Sequence, residues 1–290
     1  MALEPIGRLM SAAQRGNYAV GYFESWNLES LQGVLDAAEQ TRSPIIIGFN
    51  GEFLSERACA TEEDVTLYAK LGRAAAEQAR VPCGLIFNEC PKDSWVERAI
   101  AAGFNLVMPS DPQATLDDYT LRVKRLAELA HCNGVAIEAE IDELPCGSEQ
   151  GAPSDPRIAA EFVAATGVDL LAVSIGNEHI KLQGRAPLDL DRLAALHQAL
   201  KIPLVLHGGT GIEDQSLKAA ISLGVRKINY GTYIKQRYLK AIREALSRDE
   251  RSPHALLGNG SATDTMVIGR KVVKEAVLER IELLGCCGRG

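Results

Sequence analysis

Residues 203–231 read PLVLHGGTGIEDQSLKAAISLGVRKINYG. An apolar run enters a glycine-rich turn, HGGTG (207–211). A segment with apolar residues three and four apart follows, DQSLKAAISLG (214–224). A second apolar run, VRKINYG (225–231), begins at once. That order is the sequence form of a strand, a helix lying on the sheet, and the next strand.

The unit recurs. Apolar β-rich runs lie at 18–24 (YAVGYFE), 44–50 (PIIIGFN), 83–89 (CGLIFNE), 106–110 (LVMPS), 134–140 (GVAIEAE) and 170–176 (LLAVSIG), and the two runs above bring them to eight. Amphipathic segments at 28–41, 64–79, 94–103, 118–132, 156–167, 191–200 and 214–224 separate them. Gly103, Gly167 and Gly224 stand where a helix would stop before the next strand. Strands alternating with helices predict an α/β chain folded as a (β/α)8 TIM barrel. No linker divides it, so one domain is expected over 1–290, with extra C-terminal helices over 232–286 and a polar loop at 247–262. An open doubly wound sheet is the alternative. The even strand count, and the lack of a GxGxxG turn after the first strand, favour the barrel.

Composition narrows the partners. The chain has 290 residues, 46% hydrophobic and 24% charged, in the range of soluble globular proteins. A net charge of −7 argues against nucleic acid or an anionic membrane as the main partner. No apolar run approaches the ~18–20 residues of a membrane span, and the first residues lack the pattern of a secretory signal. Seven scattered cysteines without a CxxC pair read as reduced thiols of a cytoplasmic protein.

In this fold the chemistry lies at the C-terminal strand ends. Those ends carry Glu24, Asn50, Asn88 with Glu89, Ser110 with Asp111, Glu138 with Glu140, the turn Asn177-Glu178-His179, His207, and Asn229. Two imidazoles, His179 and His207, beside carboxylates make a divalent-metal site that suits zinc, cobalt, manganese or iron. The alternative is two histidines simply bonded in loops. His131, His197 and His254 read as solvated surface. In HGGTG, Gly208 and Gly209 let backbone N–H groups approach an anion and Thr210 adds a hydroxyl, while Asn229, Gly231 and Thr232 in NYGT offer a second set of donors. Loops after strands seven and eight often bind phosphate in this fold.

These blocks are similar to those of the class II, metal-dependent ketose-bisphosphate aldolases, which include the fructose- and tagatose-bisphosphate enzymes. The resemblance runs nearly end to end, through NYAVGYF, GVAIEAEID, TGVDLLAVSIGNEH, PLVLHGGTGI, KINYGT and VLERIELLGCCGRG. It implies a lyase with one divalent metal per chain, zinc first, and with manganese, cobalt or iron as alternatives. It also implies a phosphorylated sugar as substrate and a homodimer or homotetramer. In the family, a proton is removed from dihydroxyacetone phosphate and the enediolate adds to an aldehyde; the reverse reaction cleaves a ketose bisphosphate. By position, His179 and His207 match two metal ligands and Glu140 a carboxylate close to the metal. Gly208, Gly209, Thr210, Asn229, Gly231 and Thr232 match the substrate phosphate and hydroxyl contacts. Glu149, in CGSEQG, lies near a mobile-loop acid/base.

The departures fall on the chemistry. The family's third strand ends in Asp-His, a base and a metal ligand; here it ends in Asn88-Glu89. Glu24 replaces an Asn, Asn50 a common Ser, and Ile180 a phosphate-binding Gly. Tyr230 and Tyr233 replace small and acidic residues. An amide does not titrate, so Asn88 can only hydrogen-bond, whereas Glu89 can act as third ligand or as base. Three functions follow. The first is a divergent metal-dependent aldolase. The second is a metal-dependent epimerase, isomerase or decarboxylase using Glu24, Glu89 or Glu149 as base. The third is a sugar-phosphate-binding protein without chemistry.

Overall fold

The structure is a computed structural model, and it describes residues 3–55, 61, 63–141, 152–177, 187–247 and 252–290. Eight parallel strands close a barrel in sequence order: β1 (Val20–Glu24), β2 (Ile45–Asn50), β3 (Cys83–Cys90), β4 (Leu106–Pro109), β5 (Ala136–Glu140), β6 (Leu170–Ala172), β7 (Leu204–Leu206) and β8 (Val225–Tyr230). The ring shuts where β1 pairs with β8, Gly21 opposite Ile228 and Tyr22 opposite Asn229. Each of the eight apolar runs holds one strand, with β3 extending one residue past its run to Cys90. Every residue of β1, β2, β3 and β8 is buried, as expected where helices cover one face and barrel side chains fill the other.

The helices obey their local signals. Asn27 caps the helix Leu28–Thr41 through a reciprocal box with Ser30. Gly103 and Gly167 end their helices in the left-handed conformation, and Gly224 has φ +101° one residue past its helix cap. Asp155 caps the helix Pro156–Thr166, accepting from the backbone N–H groups of Arg157 and Ile158, while 142–151 lie outside the described residues.

Two helices go beyond the alternating pattern. Gly51–Ser55 follows β2 directly. Ile6–Gly16 packs Ile6 and Leu9 on Gly84 at the start of β3, where a β-carbon would come within 2.7 Å and 3.3 Å of their methyl groups. It therefore lies at the end of the barrel opposite the site. The polar loop at 247–262 also contains a short helix, Pro253–Leu256. No helix among the described residues is long and apolar enough to cross a membrane.

The helix Thr265–Ile281 crosses back over Leu28–Thr41 at close range. Arg270 grips Asp36 with two bonds of 2.6 Å and 2.7 Å. A β-carbon on Gly33 would lie 2.6 Å from the Arg270 carbonyl oxygen and 2.9 Å from the Val273 β-carbon. Backbone cannot step aside cheaply, so Gly33→Ala is expected to destabilise the fold by about 1–3 kcal/mol. Chemical denaturation checks this; an unchanged midpoint would mean that the helix pair has slack.

Candidate active site

The end of β3 is irregular. Its ladder with β4 pairs Phe87 with Val107 and then Cys90 with Pro109, so one extra residue is inserted over Asn88 and Glu89. Glu89 sits at φ +52°, the left-handed region that a non-glycine residue rarely occupies. Such a bulge re-aims a side chain. Here the Glu89 carboxylate reaches His207, just past β7, with Oε1 3.4 Å from Nδ1. Its other oxygen accepts from Nδ2 of Asn50 at 2.7 Å. Asn50 Oδ1 in turn accepts from the backbone N–H groups of Glu52 and Phe53.

Beneath lies a buried charge network. Glu138 on β5 has no exposed surface, and neither does Lys227 on β8. Lys227 Nζ stands 2.9 Å and 2.8 Å from the two Glu138 oxygens, donates to Asn229 Oδ1 at 2.6 Å, and lies over the Tyr22 ring. His207 Nε2 meets Glu138 Oε1 at 3.1 Å, which turns Nδ1 toward Glu89 Oε1 and Glu140 Oε2, each 3.4 Å away. Asn177 donates to the His207 carbonyl and fixes its backbone. Burial opposes the charged imidazole, but the charge of Glu140, bonds to Glu138 and Glu140, and the charge of Glu89 outweigh it and raise its pKa to about 10. Burial likewise disfavours the Glu138 carboxylate, yet Lys227 and His207 hold its pKa below the ordinary value. Lys227 goes the other way: burial lowers its pKa although Glu138 resists.

The glycine-rich turn adjoins this network. Gly208 has φ +65°, and Gly209–Gly211 form one turn of 3-10 helix. A β-carbon on Gly209 would strike Ile228 and Tyr230 at 2.7 Å, so the turn sits tightly on β8. Gly231 precedes the helix Thr232–Leu246, whose N-terminus no side chain caps. Backbone donors at such a terminus suit an anion. Glu24, at the end of β1, leans over Gly231 and takes an ion pair from Lys235 at 2.5 Å.

The strand ends thus bring Glu24, Asn88, Glu89, Glu140, His207, Gly208, Gly209, Thr210, Asn229, Gly231 and Thr232 to one rim. His179 and Glu149 lie outside the described residues, as does Ile180. Cys90 is buried, bonded to the Lys92 carbonyl, with its thiol pushed up by burial to about 11, as befits packing rather than ligation. His131, His197 and His254 are exposed, and His131 bonds Asp169. Sequence reasoning missed Lys227 and gave Glu138 no role. The available signal was a charged side chain in the interior of each of two barrel strands, Glu138 in AIEAE and Lys227 in VRKINY.

Asn88 Oδ1, Glu140 Oε1, Asn229 Nδ2 and Tyr22 Oη are buried polar atoms near the rim with no hydrogen-bond partner among the described residues. Buried polar atoms are rarely left so outside functional sites. Among the described residues, no group of three or more His, Cys, Asp or Glu side chains is set as a metal cage. The donor chemistry nonetheless fits a cation. Two carboxylate oxygens face the same ring nitrogen of His207, and a neutral nitrogen lone pair there would be repelled unless a proton or a metal ion lay between.

Without metal, that proton stabilises the fold. A raised folded-state pKa gives stability that is complete below the ordinary imidazole value of 6.5 and is lost as pH rises through about 10. The melting temperature in chelator, taken relative to that of His207→Gln, is expected to fall between about pH 7 and pH 10. A flat difference would mean that His207 is neutral.

Comparison with known proteins agrees with this architecture. Residues 4–289 match the sequence model of the family Fructose-bisphosphate aldolase class-II. The chain is 33% identical to the uncharacterized protein YdjI of Escherichia coli K12, over 96% of this chain and 95% of that one. It is 31% identical to the fructose-bisphosphate aldolase of Geobacillus stearothermophilus, over 100% and 99%. The crystal structure of the YdjI aldolase from E. coli K12 superposes with a TM-score of 0.83 at 31% identity, covering 100% of this chain and 99% of that one. With the barrel closed and these matches spanning it from end to end, the chain belongs to the class II fructose-bisphosphate aldolase family.

Proposed function

We infer that the chain is a divalent-metal-dependent aldolase that reversibly cleaves a phosphorylated ketose through an enediolate. The observation that carries this reading is the convergence of Glu89 and Glu140 on Nδ1 of His207, beside a glycine-rich turn at the strand ends. His207, Glu89 and Glu140, with His179, would hold the ion. Carboxylates in that set favour manganese, cobalt or iron more than three imidazoles do, with zinc the family's usual choice. A bound ion supplies polarisation of the substrate's carbonyl and hydroxyl oxygens.

The chain's own groups do the rest. Backbone N–H groups of Gly208, Gly209, Gly231 and Thr232, with the Thr210 and Thr232 hydroxyls, suit the phosphate. Asn229, its oxygen held by Lys227, has an amide nitrogen with no partner among the described residues, and it would orient a substrate oxygen. Glu149 is assigned the removal of the proton beside the carbonyl on the family resemblance, with Glu24 and Glu89 as alternative bases. Asn88 offers its oxygen to a substrate hydroxyl but cannot take the proton. We assign the protein to the cytoplasm and to a homodimer or homotetramer on the family resemblance and the reduced cysteines.

Asn88 also favours a second reading. Without a titrating group at that position, an enediolate reprotonated on the same carbon skeleton gives epimerisation or isomerisation of a sugar phosphate, with no carbon–carbon cleavage.

Elemental analysis of protein purified without chelators is expected to find about one divalent ion per chain. Glu89→Ala and His207→Ala are both expected to lose it. A wild type that stays empty when metal is restored would rule out both enzymatic readings. Dihydroxyacetone phosphate in D2O then reads the first chemical step: the metal-loaded enzyme is expected to exchange a C–H proton. Cleavage of a ketose phosphate separates aldolase from isomerase.

A further inference from the structure

A groove of about 850 Å³ lies at the end of the barrel opposite the candidate active site. One wall is the outer face of the helix Ile6–Gly16, with Arg8, Ala12 and Arg15. The other wall is Pro44 and Pro82, which lead into β2 and β3, together with Arg289. The backbone pins Arg289 from both sides: Gly288 donates to the Thr41 carbonyl at 2.9 Å and Gly290 to that of Arg42 at 2.8 Å. Gly7 leaves the groove open, since a β-carbon there would meet nothing within 4 Å.

Its charge runs against that of the chain. The protein carries −7 overall, yet the charged side chains of the groove are three arginines and Glu4. Among the described residues neither Arg15 nor Arg289 has an ion-pair partner. Burial, and then Cys286, raises the Tyr18 phenol against the opposing charges of Arg289 and Arg15, so both guanidinium groups stand near that one ring. Arg226, only 3% exposed, lies behind them. Among the described residues it bonds neutral oxygens alone, those of the Gln14 and Asn17 side chains and the Ile221 and Val225 carbonyls, and its charge adds to theirs. The far end differs. Arg8 stands 3.7 Å from Glu4 Oε2, too far for a hydrogen bond, so a donor and an acceptor sit side by side with capacity to spare. Arg8 and Arg15 are about 10 Å apart along the helix axis, and Leu9, Ala12, Pro44 and Pro82 make the stretch between the two ends apolar.

We propose that this groove binds a nucleotide, with its phosphates on Arg15 and Arg289 and its base against Glu4 and Arg8. Arginine forks take phosphate oxygens in pairs. A base edge presents donors and acceptors together, as the Glu4–Arg8 end requires. A lone phosphate would occupy only the Arg15–Arg289 end, whereas the volume is that of a site for a whole organic ligand. The groove is separate from the glycine-rich turn, and the proposal does not rest on the aldolase reading.

The test is calorimetric titration of the full, metal-loaded chain with ADP, GDP, CDP and UDP, and with adenosine and inorganic pyrophosphate as the two halves of the ligand. At least one nucleotide is expected to bind once per chain, at least about tenfold more tightly than either half. Arg15 and Arg289 are exposed, so the double variant Arg15→Gln, Arg289→Gln should fold and melt as the wild type does. It is expected to bind that nucleotide at least about tenfold more weakly. Three results would each overturn the site: no nucleotide binding at millimolar concentration, binding unchanged in the double variant, which places the nucleotide elsewhere, or pyrophosphate binding as tightly as the nucleotides.

Discussion

A carboxylate without access to water needs a partner, and Glu138 has two. Lys227 and His207 reach it from β8 and β7, so three strands of the barrel are tied through one group. Removing one partner of a buried charge pair costs about 3–5 kcal/mol, because the charge left behind is unpaired. The arrangement also settles the site. With Nε2 of His207 committed to Glu138, Nδ1 is the nitrogen that faces the rim, and Glu89 and Glu140 gather around it. With Lys227 committed to Asn229 Oδ1, the amide N–H of Asn229 is the end left for a ligand. The network thus sets which atom of each neighbour is presented.

Glu89 shows how the chain departs from a plain strand to serve that rim. The extra residue in β3 and the left-handed backbone cost on the order of 1–3 kcal/mol. The return is a carboxylate that crosses from β3 to His207 and is steadied by Asn50. Asn50 is itself held by the first turn of the helix Gly51–Ser55, so this short helix belongs to the support of the site.

The barrel was readable because its signal is local. Each strand announces itself as an apolar run, and Gly103, Gly167 and Gly224 mark helix ends by a backbone geometry that glycine adopts freely. The rim was readable because the fold puts strand ends there. What escaped depends on distant partners. Lys227 in VRKINY gives no sign of Glu138, 89 residues away. Glu24 gives no sign of Lys235, 211 residues away. The first helix is a different case: Ile6, Leu9, Met10 and Ala13 carry the spacing of a buried helical face, so that helix is legible from its own residues.

Closure of the ring by β1 and β8 has a consequence for the chain's synthesis. The two strands begin roughly 200 residues apart, at Val20 and Val225. At a translation rate of about 5–20 residues per second, β1 emerges at least ~10 s before the strand that completes it. During that interval the nascent sheet carries two open, apolar edges, the condition under which strands recruit strangers. The covering helix Thr265–Ile281 arrives later still. The protein is therefore most exposed to aggregation while it is being made, and its yield in a cell should depend on what shields those edges until the last strand appears.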